Sequence, residues 1–207
     1  NRIGFFLSKL VISRLYRIRT QQVVTMALLE IQNLSKSYPA PVGPDTQVLD
    51  VPAFEMDTGS RVAIHGESGS GKTTFLHLVA GILRPDRGTI LLEGQDLTQL
   101  PESTRDRLRA SSIGYVFQTF NLLQGFTCLE NVMLGMSFGS GVNESRAREL
   151  LEKVDLADRL SYRPSQLSVG QQQRVAVARA LANKPKLVLA DEPTGNIDDQ
   201  MGLRLIH

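Results

Sequence analysis

Gly66-Glu67-Ser68-Gly69-Ser70-Gly71-Lys72-Thr73 stands between two stretches of different character. Before it, Arg61-Val62-Ala63-Ile64-His65 is short and β-prone. After it, Thr74-Phe75-Leu76-His77-Leu78-Val79-Ala80-Gly81 spaces its apolar residues at helical intervals and ends on a glycine stop. Strand, glycine loop, helix is the context in which the pattern G-x-x-x-x-G-K-[ST] holds phosphate. Glycines let backbone N–H groups turn inward and approach phosphate oxygens, where a Cβ would stand in the way. The helix start adds a partial positive charge. Lys72 adds a full charge for β- and γ-phosphates, and the Thr73 hydroxyl is a candidate Mg²⁺ ligand. Gly66 through Thr73, with Thr74 next to them, are therefore the candidate nucleotide-binding residues. A chance glycine turn before a helix is the alternative, and the satisfied context weighs against it. His65 and His77 read as structural.

Some 120 residues later, Lys186-Leu187-Val188-Leu189-Ala190-Asp191-Glu192 is an apolar run that ends in two acids. A buried parallel strand reads this way, and ligands sit at the carboxyl ends of such strands. Asp191 is placed to hold Mg²⁺, directly or through water. Glu192, one residue further out, is placed to polarise an attacking water. Two acids in a surface turn would be the better reading in isolation. The phosphate loop upstream makes it the lesser one.

Composition bounds the rest. The chain has 207 residues and 42% apolar content, enough for one domain with a sizeable core. Its 23 basic and 21 acidic residues give a net charge of +2, which offers no support for a nucleic-acid partner. One cysteine, Cys128, excludes a disulfide scaffold and a cysteine-based zinc site. No stretch is both long and apolar enough to span a bilayer; Gly125–Val142 comes nearest and is broken by glycines and serines. Residues 1–25 differ in character from the rest of the chain. They carry Arg2, Lys9, Arg14, Arg17 and Arg19 among Phe5, Phe6, Leu7, Leu10, Val11 and Ile12, with no acid. Three readings stand: a basic amphipathic membrane anchor, a cleaved targeting segment, or translated upstream sequence. Met26-Ala27-Leu28-Leu29-Glu30-Ile31 begins the alternation of a first strand, which favours a start at Met26 and a basic leader outside the fold.

Leu167-Ser168-Val169-Gly170-Gln171-Gln172-Gln173-Arg174 is the most specific stretch. It resembles the Leu-Ser-Gly-Gly-Gln signature of the nucleotide-binding domain of ATP-binding-cassette (ABC) proteins, and it precedes the Asp191–Glu192 strand as that family requires. The resemblance covers roughly Leu28 to the end. Its own physics agrees: Ser168 and Gly170 precede a helix expected from about Gln171 to Ala182, with Val175, Ala178, Leu181 and Ala182 on one face. A hydroxyl and free N–H groups at a helix start make an anion site.

The resemblance implies more. Ser168, Gly170 and Gln171 would touch the γ-phosphate of an ATP held by the phosphate loop of a partner subunit, so that two ATPs lie between two head-to-tail copies. Tyr38, in Leu34-Ser35-Lys36-Ser37-Tyr38, looks like the aromatic that stacks on adenine; the plainer reading is a strand-end tyrosine. Gln118, in Tyr115-Val116-Phe117-Gln118, looks like the glutamine that touches Mg²⁺ and the attacking water and links the site to a membrane partner. Gly195-Asn196-Ile197-Asp198 looks like the loop that crosses the dimer interface, with Asp198 in it. The implied fold is α/β: a mainly parallel sheet bearing the phosphate loop, antiparallel strands near the N-terminus, and a helical subdomain from about residue 103 to 181. That subdomain would dock on permease helices through residues 120–136, which read equally well as subdomain core. Asn143-Glu144-Ser145 and Asn33-Leu34-Ser35 match glycosylation acceptors and are read as chance.

Ile113–Leu123 and Ala190–Asp198 look like the bacterial branch that includes lipoprotein-release and macrolide-export ATPases and the cell-division ABC ATPase. The expected function is ATP binding and hydrolysis as the motor subunit for a membrane permease, peripheral on the cytoplasmic face of the inner membrane, with ATP and Mg²⁺. A regulatory ABC ATPase without transport and an inactive nucleotide-binding fragment are the alternatives. A soluble ABC ATPase acting on ribosomes or DNA is a third, though neither a second cassette nor a long coiled-coil insert is visible. Two departures stand out. Val169 replaces the first glycine of the signature pair, so either that position has ordinary backbone angles or the phosphate contact is weakened. The family's switch histidine has no match: His207 ends a run, Asp199–His207, that reads as the helix after the interface loop. The domain of residues 26–207 is thus expected to be incomplete at its C-terminal end and to hydrolyse ATP weakly by itself.

Overall fold

A computed structural model of the protein describes Tyr16–Arg17 and residues 27–191. The chain divides into two units, Asn1–Pro101 and Glu102–His207.

In the first unit, β1 (Tyr16–Arg17), which falls in the segment expected to lie outside the fold, pairs antiparallel with β4 (Val62–Ala63). The main sheet has β2 (Ala27–Tyr38) between β3 (Thr46–Asp57) and β5 (Arg87–Leu92), with β6 (Gln95–Asp96) beyond β5. All its pairings are antiparallel, which fits the strand layer expected near the N-terminus. β2 buries Leu29, Ile31 and Leu34. Its alternation breaks at Asn33 (φ 49°), where the register against β5 shifts between Gln32 and Ser35. Gly88 (φ 91°) closes on that bulge, and a Cβ there would overlap the Gln32 and Asn33 carbonyls. Pro52 lies in β3, an edge strand, where a missing N–H is tolerated. Helix α1 (Lys72–Val79) meets β3 through Phe75 and Phe54, edge to face at 6.0 Å. Gly81 (φ 66°) ends the helix as expected: its N–H bonds the Leu78 carbonyl, and the Ile82 N–H reaches back to His77.

The second unit holds α2 (Glu102–Ser112), β7 (Ile113–Val116), α3 (Cys128–Ser137), α4 (Glu144–Lys153), α5 (Val169–Ala180) and β8 (Leu187–Ala190). Its core forms from α3, α4 and α5 through Val132, Met136, Leu150, Leu151, Val175 and Ala178. The helix starts are fixed by side chains. Thr127 and Glu130 form a reciprocal capping pair, and Asn143 Oδ1 accepts the Arg146 N–H at 2.9 Å. The two Thr127 donors, backbone N–H first and hydroxyl second, hold the Glu130 carboxyl below the usual carboxylate range. β7 and β8 pair in parallel, Ile113 opposite Leu187 and Val116 opposite Ala190. They are the parallel pairing among the described residues. β7 is buried along its whole length, whereas Val188 of β8 is 47% exposed. Gly114 is needed where β7 meets the end of α5, because a Cβ there would collide with the Ala180 carbonyl.

Candidate nucleotide-binding site

The loop before α1 is shaped by its own main chain. Gly69 (φ 77°) and Gly71 (φ 92°) take left-handed angles. A Cβ on Gly71 would sit 2.8 Å from the Val48 carbonyl oxygen, so no other residue fits there. The Ser70 N–H bonds the Glu67 carbonyl at 3.2 Å. Lys72 Nζ donates to the Gly66 and Glu67 carbonyls, each at 2.9 Å. The ammonium is thereby folded back over the loop. Ser70 Oγ is buried with no hydrogen-bond partner among the described residues. Such a group is an opening for a ligand oxygen. Thr73, Glu67, Ser68 and Gly69 are exposed, and Thr74 is half-buried. His65 is exposed as well.

At the end of β2, opposite Thr46, Tyr38 is 38% exposed. Lys36 Nζ lies 5.8 Å from its ring centroid and pairs with Asp86 at 2.8 Å; Asp86 also accepts the Ser37 N–H at 2.6 Å. Those two bonds, the lysine first, lower the Asp86 pKa.

In the second unit, β7 and β8 deliver two candidate residues to one end of their pair. Val116 lies opposite Ala190 in parallel register. Gln118, two residues past β7, and Asp191, one past β8, thus leave the same carboxyl edge. Gln118 is exposed; Asp191 is buried, and its N–H bonds the Val116 carbonyl at 3.0 Å. Burial, with the Asp191 charge as a second cause, pushes the Tyr115 phenol well above its ordinary range. Glu192 and Asp198 lie outside the described residues.

The helix of the signature segment is displaced from its reading at both ends. α5 starts at Val169, two residues before the expected Gln171, and ends at Ala180, two before the expected Ala182. The cause of the early start is a capping box: Ser168 Oγ accepts the Gln171 N–H at 3.3 Å, and Gln171 Oε1 accepts the Ser168 N–H at 2.9 Å. Val169 is the first helical residue, with no positive φ and 60% exposed. Of the two readings of this valine, ordinary backbone angles hold. Gly170 falls in the same first turn.

One contrast runs through the five described α-helices. α2, α3 and α4 carry Glu102, Glu130 and Glu144 in their first turns, while α1 and α5 carry no acid there. Acids at helix starts complement the dipole. The two starts that lack one are those of the phosphate loop and the signature.

Sequence reasoning missed the side chains that hold these loops. Asn131, fully buried on α3, accepts the Leu123 N–H at 2.8 Å and donates to the carbonyls of Leu123, Phe126 and Thr127. Its signal was a lone amide on the apolar stripe of Cys128, Val132 and Met136. Asn183 donates to the Ala110 and Gly135 carbonyls at 2.8 and 2.7 Å. The stretch 120–136 divides between its two readings: Leu122, Cys128, Val132 and Met136 are core, whereas Leu123 and Phe126 are exposed. Burial pushes the Cys128 thiol up to about 11, so it is inert at neutral pH. Among the described residues there is no cluster of His, Cys, Asp and Glu suited to a metal, and no helix is long and apolar enough to cross a membrane.

A glycine loop of this build, closed by Lys72 over its own carbonyls and opening a helix without a first-turn acid, defines a P-loop nucleoside triphosphatase. The family model described as ABC transporter matches residues 49–195, and the chain belongs to that family. A LolD lipoprotein-releasing system ATP-binding protein of Pseudomonas fluorescens is 47% identical over 176 residues, 83% of this chain and 77% of that protein. An uncharacterized ABC transporter ATP-binding protein of Thermotoga maritima is 49% identical over 159 residues, 75% of this chain and 68% of that one. Among solved structures, the ATP-binding cassette MJ0796 in a dimeric post-hydrolysis state with ADP and Pi aligns with a TM-score of 0.78. It is 35% identical and covers 86% of this chain and 79% of that one. The chain is an ABC nucleotide-binding domain, an ATPase that serves as the ATP-driven motor of an ABC complex.

Proposed function

We propose that two copies of this chain bind two ATPs between them and drive a membrane permease from the cytoplasmic face of a bacterial inner membrane. The observation that carries this reading is the pair of acid-free helix starts. Each offers N–H groups and dipole to an anion. In this reading the phosphate loop of one copy and the Ser168–Gly170–Gln171 start of the other take opposite sides of one triphosphate. The dimeric state of the similar MJ0796 cassette supports the two-copy arrangement. The likeness to LolD proteins supports a permease partner of the lipoprotein-release kind.

Each residue then has a task. Backbone N–H groups of Gly66, Glu67, Ser68, Gly69, Ser70 and Gly71 hold phosphate oxygens, with Thr74 beside them. Lys72 exchanges its two carbonyl partners for the β- and γ-phosphates. Tyr38 stacks on adenine. Thr73, Gln118 and Asp191 carry oxygen donors of the hard kind that Mg²⁺ takes, and in this reading they would hold it. The ion, when bound, neutralises phosphate charge. Glu192 accepts a proton from the attacking water, Gln118 orients it, and Asp198 lies at the dimer interface. The helical segment of residues 103–181 faces the permease, with the exposed Leu123 and Phe126 in the contact. Loss of the γ-phosphate removes the bridge between copies and lets them separate, a two-state element set by ligand.

The test is Glu192→Gln in the full-length protein. With ATP it is expected to elute as a dimer holding two nucleotides, with hydrolysis reduced by about a hundredfold or more. A monomer at saturating ATP, or rapid turnover, would sink the proposal.

A further inference from the structure

The backbone just beyond Gln118 is unusual. Phe120 (φ 60°) and Asn121 (φ 49°) are consecutive non-glycine residues in the left-handed region, which L-residues avoid. Local bonds account for part of the shape: Phe120 N–H to the Phe117 carbonyl at 3.0 Å, Asn121 N–H to the Thr119 carbonyl at 2.7 Å, and the Thr119 hydroxyl to Asn121 Oδ1 at 2.9 Å. The remaining restraint comes from α5. Arg179, in its last turn, donates through Nη2 to the Phe120 carbonyl at 2.6 Å and through Nη1 to the Asn121 carbonyl at 2.7 Å. One planar fork thus grips both left-handed residues. Its stem runs in a fitted slot: a Cβ on Gly135 of α3 would lie 3.0 Å from Arg179 Cγ. Burial lowers the arginine's pKa, so the two carbonyls stand in for lost water.

We propose that Arg179 is a positioning residue: its grip on Phe120 and Asn121 fixes the aim of Gln118 and makes that aim follow helix α5. The same helix begins at Ser168. A shift of α5 on binding a partner's nucleotide would reach Gln118 through this fork, and a permease pressing on the segment after Gln118 would reach the signature by the same route. The inference rests on the reading of Gln118 as a residue of the hydrolytic site.

The test uses the full-length protein and three variants. Arg179→Met is expected to lower kcat about tenfold while ATP affinity holds within about twofold. Adding Asn121→Gly, which takes the left-handed angles without strain, is expected to restore at least about half of the lost activity. A merely structural arginine would show no such rescue. Arg179→Lys keeps charge and stem but lacks the planar fork, and about a fivefold loss in kcat is expected; it decides the matter if the methionine variant does not fold. The inference is overturned if both arginine variants keep kcat within about twofold, or if Asn121→Gly rescues nothing. Gln118→Ala separates the two readings. A fall of about tenfold or more there with silent Arg179 variants sinks only the role of Arg179. No fall there removes Gln118 from the site, and the inference with it.

Discussion

The loop of residues 66–73 and the segment of residues 118–131 both present groups at the edge of a strand, yet they are held in opposite ways. The first is held by itself. Its glycines supply the angles, and Lys72 closes on carbonyls five and six residues back. The second is held by side chains brought from elsewhere: Arg179 from α5, Asn131 from α3. A self-held loop keeps its shape whatever its neighbours do, which suits the tight binding of a constant ligand. A loop held by other helices changes when those helices move, which suits a part that must report on a partner. The same division explains why the phosphate loop reads at once from sequence and the other segment does not.

The sharpest way to break the comparison is Lys72→Ala. If the lysine is both closure and charge, ATP hydrolysis should fall by about a thousandfold, some 4 kcal/mol of barrier. The melting temperature should stay within a few degrees. Activity within tenfold of the parent would show that the main chain alone suffices.

Asn131→Leu comes next and tests the second region. The leucine keeps the volume but leaves the Leu123 N–H and three carbonyls without their partner, at a cost of about 2–3 kcal/mol. Urea unfolding reads that loss directly. A change below about 0.5 kcal/mol would mean that the segment is held by its own turns, as the phosphate loop is.

Much of this is open to sequence reading because it is local. Strand, glycine loop and helix fall within Arg61–Gly81, and the α4 pattern is contained in Asn143–Val154. Spacing and caps act over three or four residues, so a linear string displays them. The α5 start is displaced by two residues because Ser168-x-x-Gln171 reads both as an anion site and as a capping box, and only the box fixes where the first turn begins. Arg179 and Asn183 cannot be read. Their partners include backbone carbonyls 58 and more residues away, and a carbonyl has no letter in the sequence.

Ser168 is where the two kinds of support meet, because one hydroxyl both caps α5 and belongs to the anion site. Ser168→Ala should cost about 1 kcal/mol of stability from the lost cap. Ser168→Asp separates the roles. Aspartate caps as well as serine, so stability should hold, but its charge at the helix start should repel a phosphate and depress ATP hydrolysis. Undiminished hydrolysis in the aspartate variant would show that no phosphate meets α5.

The smallest effect is expected one residue on. Val169 occupies the place of a signature glycine, but the structure gives it helical backbone and an exposed side chain at the first position of α5. Nothing there requires glycine's freedom. Val169→Gly should cost at most about 1 kcal/mol through added unfolded-state entropy, and should leave ATP hydrolysis within about threefold. A rise of about a hundredfold, equivalent to some 2.7 kcal/mol of barrier, would mean that the isopropyl group obstructs the partner's phosphate. The signature would then be the self-limited half of the site and the phosphate loop the competent one. A flat result instead leaves both helix starts equally fit for an anion, differing only in what holds them.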